Sequence, residues 1–264
     1  GALWSPAVHR LLALLALMFV ALLMAGCSAD DSSEGAAGFV VEFPGSSEFP
    51  DVQDRIRQDR SFDDIAELLN ERLLLPEQVT IVVGDDVGAD GPSYDPETRE
   101  ILMPIPFVVE SRDLLAEEFD LDAATAQELA LEGNLHALLH EIGHSLVDVL
   151  DLPITGSEED AVDQLATVVA VNEGAGEVAL SGADLFFAES VDPSQLSQVD
   201  FWDEHDLDLK GFTATVCLVV GSDPAGYSGI AEEYGLPDEQ IEVCEQEWDT
   251  AAGSWERLLD DHLR

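Results

Sequence analysis

The sequence predicts an α+β fold in which a small, mostly antiparallel sheet packs on one long helix and a helical part follows it to the C-terminus. Three observations carry this. Short apolar, β-branched runs such as QVTIVV (78–83) are confined to the first half of the chain. Residues 122–150 are periodic at helical spacing, with Leu135, Leu138, Leu139, Ile142, Leu146 and Leu150 on one stripe. Beyond residue 157 the apolar positions, around Leu185, Leu218 and Trp255, recur only at helical spacing.

The elements follow in order. FVVEF (39–43) predicts a first strand after a Ser, Gly, Asp and Ala-rich stretch. SFDDIAELLNERLLLP predicts a helix capped by Ser61, with Asp64 three residues on and Phe62, Ile65, Leu68, Leu69 and Leu73 on one face, ended by Pro76. A strand over 78–83 comes next, then a turn at Asp95-Pro96 and one or two strands over 101–109. Pro104 and Pro106 place part of that run at a sheet edge, where a peptide backbone can add as a further strand. The helix over 122–150 has a potential break at Gly133, DLPITG (151–156) is a loop, and Ser157 caps a helix through about Val171.

Residues 1–26 have the layout of a secretion signal: Arg10, an apolar stretch from Leu11 to Met24, then small residues. The stretch is shorter than a membrane-spanning helix requires. Met24-Ala25-Gly26-Cys27 resembles the bacterial lipobox, which implies acylation of Cys27 and a membrane-anchored, extracytoplasmic lipoprotein. The expected organisation is thus a signal peptide over 1–26, a lipid-anchored tether over 27–50 and one domain over 51–264.

With 56 acidic residues against 10 basic, the net charge is −46. Nucleic-acid binding is excluded, because it needs a basic footprint. A composition 46% hydrophobic lies well above that of a disordered chain, so the acids belong on the surface of a folded domain, as in proteins adapted to a salty medium. Of three cysteines, Cys217 and Cys244 remain once Cys27 is acylated, and in an oxidising compartment a disulfide between them is the default, contributing roughly 3 to 4 kcal/mol.

The chemistry centres on HEIGH. His140 and His144, four residues apart on a helix, leave the same face and present both imidazoles to one tetrahedral Zn2+. Glu141 is placed to take a proton from the water that the metal activates. A third ligand is offered by SEEDAVDQLA, on a helix that returns antiparallel past the histidines after a short loop. By helical level Asp163 lies as near the metal as Glu159, although the longer arm of glutamate favours Glu159. Glu158 and Asp160 read as a solvated first turn suited to the helix dipole.

The E-x-x-x-D arrangement after HExxH resembles the glutamate zincins, in which the glutamate is a ligand and the aspartate holds a zinc-bound histidine in its correct tautomer. In one branch of that group the segment reads E-x-x-A-D-x-x-A. Here Glu159, Val162, Asp163 and Ala166 stand at those positions, with valine in place of the first alanine. The resemblance implies a zincin-like fold, Glu159 as ligand, Asp163 behind a histidine, and a peptide or protein substrate. HEIGHSLVDVLDLPITGSEEDAVDQLA, with YDPETREI, CLVVGSDP, LPDEQIEVC and SWERLL, also resembles a bacterial metallopeptidase-like family of unknown function, from about Leu69 to the end.

His205, in FWDEHDLD, is the candidate for stabilising the oxyanion of a tetrahedral intermediate, with a surface histidine among acids as the alternative. His136 reads as a polar residue near a helix start or as part of the cleft wall, His262 as surface, and Trp202 and Trp255 as packing residues. Two functions fit these residues. One is zinc-dependent peptide-bond hydrolysis; the other is an envelope lipoprotein whose zinc site is structural or silenced. Glu141 separates them, since a purely structural site has no use for a carboxylate beside its first ligand.

Overall fold

Strand β1 (Gly38–Glu42) is joined to β2 (Gln78–Gly84) through two helices, α1 (Pro50–Asp59) and α2 (Ser61–Arg72). This crossover is long enough for β1 and β2 to run parallel, as they do, with Phe39 opposite Val79 and Val41 opposite Ile81. The computed structural model describes residues 37–189 and 208–264, and these belong to one folded unit beginning at Ala37. The domain therefore starts earlier than the residue 51 read from the sequence, because β1 is part of the sheet.

The sheet order is β1-β2-β4-β3, with β3 (Ser93–Asp95) and β4 (Glu100–Pro104) forming a hairpin. β4 is parallel to β2 and only β3 is antiparallel. The expectation of a mostly antiparallel sheet is thus corrected: two of the three pairings are parallel. Phe39, Val79, Ile81, Val83, Ile101 and Met103 are buried and enter the main core.

The run over 101–109 divides differently from its sequence reading. β4 ends at Pro104, and Ile105 opens helix α3 (Ile105–Glu118) with Pro106 in its first turn, where a missing N–H costs nothing. β4 is consequently interior, and the edge strands are β1 and β3. Asn70 of α2 closes the free side of β1. Its Nδ2 donates to the Phe39 carbonyl at 2.8 Å and its Oδ1 accepts from the Phe39 N–H at 2.7 Å. Gly38, at φ 134°, makes room for that amide.

Helix α2 is entered from Arg60, not from a Ser61 cap. Arg60 is also the left-handed residue that ends α1, so the chain turns from one helix to the next on a single residue. Helix α4 (Ala123–Val149) runs unbroken through Gly133, capped by Asp122, whose side chain accepts from the Ala124 and Thr125 N–H groups. At Gly133 an added Cβ would lie 3.2 Å from the Ser181 carbonyl, so this glycine serves close packing, not a break.

Helix α5 (Glu158–Asn172), capped by Ser157, returns along α4, and α6 (Gly176–Glu189) covers the same helix from another side. Helices α7 (Asp208–Ser222), α8 (Ser228–Glu233) and α9 (Asp238–Leu259) complete the unit. A Cys217–Cys244 disulfide joins α7 to α9, and the buried Trp255 donates from Nε1 to the Ala161 carbonyl at 3.1 Å, fixing α9 to α5. Among the described residues no helix is long and apolar enough to cross a membrane.

Candidate metal centre

The core side of α4 is Leu138, Leu139, Ile142 and Leu146, all buried against the sheet and the neighbouring helices. Burying that stripe turns His140 and His144 together toward α5, because residues four apart share a helix face. Gly143 decides how near α5 comes. A Cβ there would stand 2.7 Å from the Val162 Cβ, so only glycine allows the two backbones this approach. Val162, the residue that departs from the alanine of the resembling motif, is the one packed into that space.

Three side chains converge. The His140 and His144 Nε2 atoms lie 3.1 Å apart. Glu159 places Oε2 at 3.2 Å from His140 Nε2 and Oε1 at 3.3 Å from His144 Nε2. Among the described residues this trio forms the only group of three His, Cys, Asp or Glu residues arranged to hold a metal ion. Donor atoms about 2.0 to 2.1 Å from a tetrahedral Zn2+ would be about 3.3 to 3.4 Å from one another, so the separations here fit such an ion.

The opposite ring nitrogens are also engaged. His140 Nδ1 is 2.7 Å from Asp163 Oδ1, and His144 Nδ1 is 2.8 Å from Glu158 Oε1. An ionised carboxylate only accepts, so each Nδ1 carries a proton. In the neutral rings both Nε2 atoms then present lone pairs to each other, an arrangement that a shared cation relieves. The chemistry of the donor set therefore fits a metal ion, independently of the spacing of the motif.

The charges agree. Burial alone would lower the His140 pKa, but hydrogen bonds to Asp163 and Glu159 and the nearby charges of Asp163 and Glu141 raise it to about 10. His144 is raised as well, with burial opposed by Glu159 and Glu158. Burial pushes the Glu159 carboxyl up, yet hydrogen bonds from both histidines hold it well below the usual carboxylate range. The centre is built to keep positive charge between its donors.

Glu141 is buried on α4 beside His140. Asp163 lies at His140 Nδ1 and Glu159 at the two Nε2 atoms, so the two acids, level on the helix, occupy different sides of the ring. Glu158 is the participant that sequence reading missed, since it looks like any other acid of a solvated first turn. His136 is neither near a helix start nor in a cleft: it is fully buried, 3.4 Å from Thr167 Oγ1, with its ring against Gly182. His262 lies in the short 3-10 turn Asp260–His262. His205, Trp202 and Cys27 lie outside the described residues.

Tyr94, on the edge strand β3, donates to Asp148 at 2.7 Å, one turn beyond His144. This fastens the open edge of the sheet to the helix that carries the histidines.

No curated protein and no solved structure matches this sequence. The family described as "Putative metallopeptidase" does match, over residues 43–259, a span that contains β2 to β4, the HEIGH helix, the Glu159 helix and all of α9. With most of its length covered, the chain belongs to that metallopeptidase family.

Proposed function

We propose that this protein is a glutamate-zincin-type peptidase that hydrolyses peptide bonds at the cell envelope, with zinc held by His140, His144 and Glu159. The observation that carries the reading is the trio of donor atoms 3.1 to 3.3 Å apart, with both distal ring nitrogens already occupied by carboxylates. Two imidazoles and one carboxylate with an open fourth position are the donor set of a catalytic zinc site, as opposed to a closed structural one. When bound, zinc lowers the pKa of a coordinated water to about 7 and polarises a carbonyl.

The protein's own residues supply the rest. Glu141 accepts a proton from the attacking water and passes it to the departing amine, so one carboxylate acts first as base and then as acid. Asp163 holds the His140 ring in the tautomer whose Nε2 faces the metal. The free edge of β3, tied to α4 through Tyr94 and Asp148, offers backbone groups along which an extended peptide can add as a strand. His205 is kept as the candidate for stabilising an oxyanion. Envelope location rests on the signal and lipobox sequences ending at Cys27, and the Cys217–Cys244 disulfide agrees with an oxidising compartment.

Glu141→Gln separates this reading from a structural zinc site. The substitution keeps size and hydrogen bonding while removing the base. Metal content should stay at the wild-type level while cleavage of a mixed peptide library falls about 10² to 10⁴-fold. A Gln variant that cleaves as fast as wild type would refute the mechanism, and a zinc-loaded wild type inert on the whole library would favour a binding protein.

A further inference from the structure

We propose that Glu158 is a positioning residue for the metal centre, holding His144 as Asp163 holds His140, so that each histidine ligand has its own carboxylate. The inference rests on the metal-binding reading given above and goes beyond it in assigning the residue behind the second histidine. Its basis is geometric. Glu158 Oε1 lies 2.8 Å from His144 Nδ1, on the side of the ring away from the donor trio.

A neutral imidazole has two tautomers and can turn about its bond to Cβ. Only one combination points a lone pair from Nε2 toward His140 and Glu159. Accepting the Nδ1 proton holds the ring in that orientation and leaves Nε2 as the nitrogen that faces the donor trio. Glu158 and Glu159 are neighbours at the start of α5, so the same helical turn delivers one carboxylate to the inside of the two rings and another to the outside of His144. Ser157, capping through the Asp160 N–H, sets the register of that turn.

The two supports differ in exposure. The Asp163 side chain is 20% exposed and that of Glu158 is 47% exposed. Solvent screens the Glu158 charge more, so its effect comes chiefly from the directed hydrogen bond. A glutamine, which retains an acceptor oxygen, should therefore substitute for it, whereas alanine should not. Asp160 provides the control. It belongs to the same first turn and favours the helix dipole equally, but its carboxylate pairs with Lys210 instead of a ligand.

The test compares wild type, Glu158→Ala, Glu158→Gln and Asp160→Ala in the full mature chain. Zn2+ affinity is measured by competition with a chelating dye, and the absorption spectrum of the Co2+-substituted proteins reports ligand geometry. Glu158→Ala should bind Zn2+ about 10 to 100-fold more weakly and show shifted Co2+ bands. Glu158→Gln should recover most of the affinity and the wild-type spectrum, and Asp160→Ala should match wild type, with thermal melts confirming that all four fold. Alanine indistinguishable from wild type, or glutamine as weak as alanine, would overturn the assignment. A folded wild type that binds neither metal would overturn the metal centre itself, an outcome separate from a failure confined to Glu158.

Discussion

His136 and His140 are the same residue type on the same helix, one turn apart, and their surroundings drive them in opposite directions. His136 is wholly buried, and burial lowers its pKa to about 4, with Asp163 opposing and His140 reinforcing the shift only as smaller effects. His140 is also deeply buried, yet its carboxylate neighbours overcome that cost and raise it to about 10. The difference lies in what faces each ring. His136 meets Gly182, the Phe186 ring at nearly a right angle and a threonine hydroxyl; His140 meets Asp163 and Glu159. Burial makes a histidine neutral and inert when its partners are uncharged, and a receptor for a cation when they are anionic.

Replacing each histidine by alanine should break this pairing most completely. His140→Ala removes a ligand, so Zn2+ affinity should fall by more than the roughly 10 to 100-fold expected for an outer carboxylate. His136→Ala leaves the donors in place and empties a packed site instead. It should cost about 2 to 4 kcal/mol of unfolding free energy while the protein remains able to bind metal. Dye competition and denaturant melts on both variants give the two readouts. Loss of metal binding in a folded His136→Ala would mean that the two rings are not functionally distinct.

A titration sharpens the same contrast. For His136 the folded pKa lies below the unfolded value of 6.5, so the unfolded chain binds the extra proton first. Its contribution to stability is present above pH 6.5 and is lost as pH falls from 6.5 to about 4, up to roughly 3 kcal/mol. For His140 in the metal-free protein the sign reverses: the contribution is present below pH 6.5 and is lost as pH rises toward about 10. Many carboxylates titrate near pH 4 as well, so the informative quantity is the difference between wild type and His136→Leu. Wild type should lose stability relative to the variant between pH 6.5 and 4, and parallel curves would show that His136 is not held neutral.

What the sequence revealed divides along the same line between local pattern and tertiary neighbour. The HEIGH helix, the Ser157 cap and the strands at 39–43 and 78–83 are local, and spacing or composition shows each of them. The parallel pairing of β1 with β2 is not local. It depends on α1, whose sequence PDVQDRIRQD is mostly polar and offers only Val52 and Ile56 as apolar residues to bury, beside Gln53. The division of 101–109 between β4 and α3 turns on Pro106 finding a helix start, and nothing nearby in sequence distinguishes that from an edge strand. Glu158 is one acid among 56, and only its distance to His144 sets it apart. His136 could not be placed without Gly182, forty-six positions away in the chain, whose missing side chain admits the ring.

The smallest expected effect concerns Asp163, because its charge acts on both histidines at once. It accepts from His140 Nδ1 at 2.7 Å and also raises the His136 pKa against the dominant effect of burial. Asp163→Asn keeps an oxygen able to accept the same proton and so preserves the tautomer, while the full negative charge is lost. The His140 ring becomes a weaker donor, and Zn2+ affinity should fall about tenfold, near the lower end expected for such a change. His136 should become still harder to protonate, since the one opposing charge is gone. Chelator competition reads the first consequence, and the ring-proton shifts of His136 followed by NMR from pH 7 to 4 read the second. A weaker metal site together with an unchanged His136 would show that the Asp163 charge acts on His140 and not on His136. If instead affinity is retained and His136 titrates at higher pH, the two rings do not share the field of one carboxylate.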